Sequence, residues 1–189
     1  MMRILPIVGL LFVSLFFRPA FSSQTEVSHS TIEWTDLIPP DDLAALMNPP
    51  EDLQNIEDGS EFDQISNQIQ AAVSQANDSR YQQALSSTQV RPEYNNKAIR
   101  IAGFLVPLRF GEDNSITEFF IVPYFGACIH VPPPPPNQLI FGKFPAGFEL
   151  DALYDPFWIE GTLSTQIIEN EMATAAYSIK IDQITEYTD

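Results

Sequence analysis

Thiol and imidazole chemistry is scarce in this 189-residue chain, which holds one cysteine and two histidines, and Cys128 stands two residues from His130. A thiolate and an imidazole suit zinc or copper. The same pair suits nucleophilic catalysis, with His130 as the base for a Cys128 nucleophile. A structural zinc site wants four ligands. The remainder would come from Glu118, Glu149, Asp151 or Asp155, or from a partner. An enzyme would need an orienting group and an oxyanion hole, for which Asn137 and Gln138 are the nearby amides. The plainer alternatives are a Cys128 packed as a small apolar group beside a backbone-bonded His130, or an intermolecular or redox thiol. Tyr124 and Phe125, just before the pair, offer aromatic surface for binding.

The elements around this pair must position it. Pro132 to Pro136 are five consecutive prolines. Proline fixes φ and lacks a backbone donor, so the run forms an extended rod that cannot join a sheet ladder. At roughly 3.1 Å per residue it spans about 15 Å. Val131 precedes a proline and is pushed toward extended backbone. If Cys128 to His130 continues extended, both side chains point to one side, because alternate residues share a face. The rod packs on the chain's own Tyr124, Phe125 or Trp158, or serves as a preformed ligand for an aromatic groove.

The chain opens with Met1-Met2-Arg3, an apolar run from Ile4 to Phe17, and a small-residue site at Ala20-Phe21-Ser22. That layout predicts an exported protein with a signal peptide over residues 1–22. The run is too short for a membrane span, which needs roughly 20 apolar residues. Cleavage after Ser22 takes Arg3 and Arg18, leaving seven basic against 25 acidic residues, a net charge of −18. Such a surface repels nucleic-acid phosphates and anionic lipid heads. A single cysteine allows no internal disulfide, so the fold must rest on its hydrophobic core.

Residues 23–59 read as an ordered arm. His29 falls in a polar tail and is expected to be solvated. Trp34, Leu37 and Ile38 are expected anchors, and Asp41 to Met47 a short helix. From Ser60 to about Ser87 an apolar stripe at Phe62, Ile65, Ile69, Val73 and Ala76 predicts one long helix. Beyond Val90 the period becomes two. Strands are expected at Lys97–Leu108, Ile116–Val122, Gln138–Phe141, Phe157–Ser164 and within Met172–Tyr187. Pro107 marks a strand end or edge, and Gly161 a bulge or close approach. Gly142 to Asp155 reads as a connection. Five strands with one long connection predict residues 60–189 to be a helix plus a small OB-like Greek-key barrel, an α+β fold.

The stretch Val122 to Gln138, VPYFGACIHVPPPPPNQ, resembles the signature of the bacterial exported domain-of-unknown-function family 3299. RIAGFLVPL, FWIEGTLS and the Trp34-Thr35-Asp36-Leu37-Ile38-Pro39 arm carry the likeness across most of the mature chain. The resemblance implies a periplasmic accessory protein, with some relatives encoded beside ABC-type transporter components in settings linked to zinc supply. It implies no catalytic residues. Together these expectations describe an exported accessory or binding protein serving an envelope transporter. Cys128 and His130 would touch a metal ion, with zinc the candidate, or a partner, and Tyr124, Phe125, Asn137 and Gln138 would line the binding loop. A thiol-dependent enzyme and a purely structural interaction module stay open as alternatives.

Overall fold

The computed structural model describes residues 28–49, 80–127, 134–150 and 152–188. Eight strands occur among them: β1 (Ser30–Thr31), β2 (Lys97–Phe110), β3 (Ile116–Val122), β4 (Ile140–Phe148), β5 (Phe157–Ser164), β6 (Ile168–Glu169), β7 (Thr174–Ala175) and β8 (Tyr177–Glu186). Two short helices, α1 (Pro40–Leu46) and α2 (Arg80–Leu85), precede the long strands. The main sheet runs β1-β2-β3-β4-β8-β5, and β5 returns to pair with β2. The strands β2, β3, β4, β8 and β5 therefore close into a five-stranded barrel. β4 and β8 run parallel, and the other barrel pairs are antiparallel.

Closure depends on β2 serving two neighbours in turn. Lys97 to Gly103 pair with β5, and Phe104 to Phe110 pair with β3. The handover falls at Gly103, where a Cβ would meet Ile121 Cγ2 at 2.7 Å and Val122 O at 3.0 Å. A side chain there would hold the strands apart, so glycine permits the turn from one partner to the next.

Alternation along the strands fills the interior. Ile99, Ile101 and Leu105 of β2, Phe119 and Ile121 of β3, Ile159 and Leu163 of β5, and Tyr177 and Ile179 of β8 form one core cluster. A second cluster joins Val106, Phe120, Val122, Ala127, Leu139 and Ala175. Phe119 and Phe120 thus belong to different clusters. β3 is buried on both faces, which accounts for its unbroken apolar run.

The arm adds to the first cluster rather than lying loose. Ile32 and Leu37 are members of it, and Trp34 packs against it. Trp34 Nε1 donates to Ala102 O at 2.7 Å. His29 departs from its expected solvated place. Its side chain is 13 % exposed, with Nε2 3.1 Å from an Asp182 oxygen and Nδ1 3.7 Å from Glu160. Two carboxylates distant in sequence converge on it, which a local reading of a polar tail misses.

Most of the expected long helix lies outside the described residues; its end is helical as α2. The asparagine turn before β2 is as expected, with Asn96 at φ 60°. Three strand limits differ, the first being the start of β4, which falls at Ile140 because Gln138 ends the turn Pro136–Gln138. β2 continues past Pro107 to Phe110, with register shifts on either side of Arg109. β4 runs to Phe148, through part of the expected connection. Gly161 fulfils both of its readings. The β5–β8 register shifts between Glu160 and Gly161, and a Cβ would sit 2.3 Å from Lys180 O.

Candidate functional site

The loop leaving β3 turns at Gly126, whose φ of 86° needs no side chain. Tyr124 and Phe125 stand on that turn, 39 % and 48 % exposed. The Phe125 ring lies 6.2 Å from Phe104 and 6.5 Å from Tyr154, tilted on the first and edge-on to the second. Tyr154 and Leu153 are also exposed and come from the β4–β5 connection. An aromatic rim thus joins two loops at this end of the barrel. The sequence signalled Tyr124 and Phe125, whereas Leu153 and Tyr154 have no local pattern to distinguish them.

Ala127 is fully buried where the loop starts, and Pro134 is buried where it resumes. Cys128 and His130 fall between them, outside the described residues, as do Val131, Pro132 and Pro133. The far anchor is the turn Pro136–Gln138. Pro at its first position suits a helical start, since the missing donor has no partner there in any case.

Asn137 and Gln138 face inward, where they hold the arm. Asn137 Nδ2 donates to Asp42 Oδ2 and to Gln89 O, each at 3.3 Å. Gln138 Nε2 donates to Trp34 O at 2.9 Å and to Asn137 O at 3.1 Å. Asp42, buried on α1, is paired with Arg80 of α2. A carboxylate this deep is costly unless charged and hydrogen-bonded partners surround it. Arg80 and Asn137 provide them, so the arm, α2 and the far anchor meet at one polar node. Tyr124 and Phe125 belong to the aromatic rim and Asn137 and Gln138 to this node, at the two ends of one loop.

The carboxylates that could complete a metal site are dispersed. Glu118 is spent on two cations, 2.9 Å from Arg109 Nε and 3.0 Å from Lys143 Nζ. The Lys143 hydrogen bond, with the charge of Arg109 beside it, holds the Glu118 carboxyl below its ordinary range. Glu149 and Asp155 line a cleft of about 520 Å³ with Glu186, Phe148 and Tyr187. Asp151 is outside the described residues. Among the described residues no group of three or more His, Cys, Asp or Glu side chains is arranged to hold a metal ion. Nor is any helix among them long and apolar enough to cross a membrane.

Fold and rim together define a small closed-barrel protein with a docked N-terminal arm and an aromatic loop end. The family model described as "Protein of unknown function (DUF3299)" matches residues 34–186, and the chain belongs to that family. It is similar to a crystal structure of a DUF3299 family protein from Pseudomonas aeruginosa PAO1, with 31 % sequence identity and a TM-score of 0.59. That match covers 86 % of this chain and 98 % of the other. No curated protein matches the chain.

Proposed function

We propose that this protein is an exported periplasmic accessory module that acts by binding, serving an envelope transporter through its aromatic loop end. Counted in chain order, the five barrel strands run 1-2-3-5-4-1 with the third and fifth parallel. That order supports reading the barrel as OB-like, a fold that binds through one face and its loops. The apolar stripe from Phe62 to Ala76 in the sequence supports one long helix before the barrel. Export rests on the leader-like start and the acidic composition.

The observation that carries the reading is the rim of Tyr124, Phe125, Leu153 and Tyr154, all exposed in a chain otherwise rich in surface carboxylate. Aromatic residues gathered at one end supply contact area at low entropic cost and are enriched in protein interfaces. The rim flanks the start of the loop that carries Cys128 and His130. A zinc ion held there, with ligands completed by the partner, would couple metal supply to docking.

Zinc titration of the mature chain tests the metal component. Wild type is expected to take up zinc, with Cys128→Ser and His130→Ala each weakened by about tenfold or more. Equal uptake by all three removes zinc from the proposal. The docking component is tested by crosslinking to detergent-solubilised envelope. A transporter subunit captured by wild type should be lost from a Phe125→Ser/Tyr154→Ser double variant of unchanged melting temperature. Undiminished capture by that variant overturns the rim's role.

A further inference from the structure

A second surface, away from the rim, carries chemistry of its own. Read across the sheet by register, Arg109 faces Glu118, Glu118 faces Lys143, Lys143 faces Lys180, and Lys180 faces Thr162. Register partners present their side chains on the same face, and like charges directly opposite are unfavourable. The row alternates plus, minus, plus and then breaks, because the next residue is another lysine. Glu118 answers Arg109 and Lys143. Among the described residues no carboxylate forms an ion pair with Lys180. The chain has 25 acidic and nine basic residues, yet among the described residues no carboxylate is a register partner of this lysine.

Both lysines line a cleft of about 420 Å³. Ser178 and Ser164, register partners between β8 and β5, place two hydroxyls in it, while Phe141, Pro145 and Ile168 give it apolar walls. The volume lies within the range of roughly 300–1,000 Å³ typical of small-molecule clefts. Two ammoniums and two hydroxyls are donors that a negative head group would satisfy, and the walls would shelter a hydrocarbon body. From this break in the charge row we infer that the cleft binds an amphiphilic anion, a carboxylate or phosphate head on an apolar body. Lys180 is its main charge contact. Lys143 is shared between ligand and Glu118. The inference does not depend on the loop end or on zinc.

Calorimetric titration of the full mature chain tests it, with decanoate, decyl phosphate and decyltrimethylammonium as probes below their micelle concentrations. At least one anion is expected to bind and the cation not to, and comparing the anions identifies the head group. Lys180→Gln should weaken the anion roughly tenfold, the usual scale for one charge-assisted hydrogen bond. Lys180→Arg should retain most of the binding. Among the described residues Lys180 has no ion-pair partner to lose, so the melting temperature of Lys180→Gln should match wild type. Binding of the cation as strong as that of the anions, equal affinity of Lys180→Gln and wild type, or no binding of either anion would each overturn the inference.

Discussion

Tyr177 shows how much one hydroxyl can join. It is fully buried, accepts from Arg91 N at 2.7 Å and donates to Leu37 O at 2.9 Å. The arm, the segment before β2 and the last barrel strand therefore meet at a single oxygen. Tyr177→Phe keeps the ring but strands a buried carbonyl and an amide. Leaving such groups unsatisfied costs about 1–3 kcal/mol, which urea denaturation will detect as a lower midpoint. Burial raises the phenol's pKa to about 12, because the charged form is disfavoured away from water. A raised folded-state value means the contribution is complete below the ordinary tyrosine pKa near 10 and is lost as pH rises through about 12. The stability gap between wild type and Tyr177→Phe should thus shrink across that window; parallel curves would refute the assignment. Glu118 has the opposite sign: its lowered pKa contributes stability that disappears as pH falls below the carboxylate range. The alternation of Tyr177, Ile179 and Ile181 was legible in the sequence. The partners of the hydroxyl were not, because they lie 86 and 140 residues away. The same distance hid the carboxylates around His29, and hid Asp42 as the buried partner of Asn137.

At the scale of elements, what could be read was whatever is written in neighbouring residues. The strands Ile116–Val122 and Phe157–Ser164 occupy their expected limits, the second marked by period-two burial and the first by an apolar run buried on both faces. The misjudged limits involve proline. Pro107 lies where β2 has handed β5 its last pair and keeps only β3 beside it, so a missing donor is tolerated mid-strand. Pro145 falls in the irregular stretch between the Glu118–Lys143 and Ile116–Phe148 pairs, where β8 has already stopped pairing. Both are edge positions created by barrel closure; the edge reading of Pro107 was legible in the sequence, whereas that of Pro145 needs the assembled sheet. Gly161 is the counterexample, a single residue whose tertiary role was legible. With Lys180 O 2.3 Å and Ile181 Cα 3.0 Å from a built Cβ, Gly161→Ala forces backbone apart where β5 and β8 shift register. Overpacking of this kind costs about 1–3 kcal/mol. The expected result is a lowered urea midpoint with an unchanged denaturant slope; a midpoint equal to wild type would mean that the strands accommodate the methyl freely.

For the molecule as a whole, the question is whether arm and barrel unfold as one. Ile32 and Leu37 share a core cluster with Ile99, Ile159 and Tyr177, and Gln138 grips the Trp34 carbonyl from the far anchor of the loop. Contacts spread over so many strands leave no seam at which the arm could detach cheaply, so a single cooperative transition is expected. The two tryptophans report on the two parts separately. Trp34 sits on the arm, bonded to Ala102 O, while Trp158 on β5 lies beneath Arg100 at 4.0 Å and stacks on Tyr187 at 5.1 Å. In Trp158→Phe the fluorescence follows the arm, and in Trp34→Phe it follows the barrel. Within each variant, the fluorescence midpoint in urea should coincide with the midpoint from far-ultraviolet circular dichroism. If the Trp34 signal is lost at lower urea than the sheet, the arm is a separate, weaker unit. Asn137 and Gln138 would then release the loop before the barrel opens. If both signals coincide, the loop that carries Cys128 and His130 stays anchored at both ends for as long as the protein is folded.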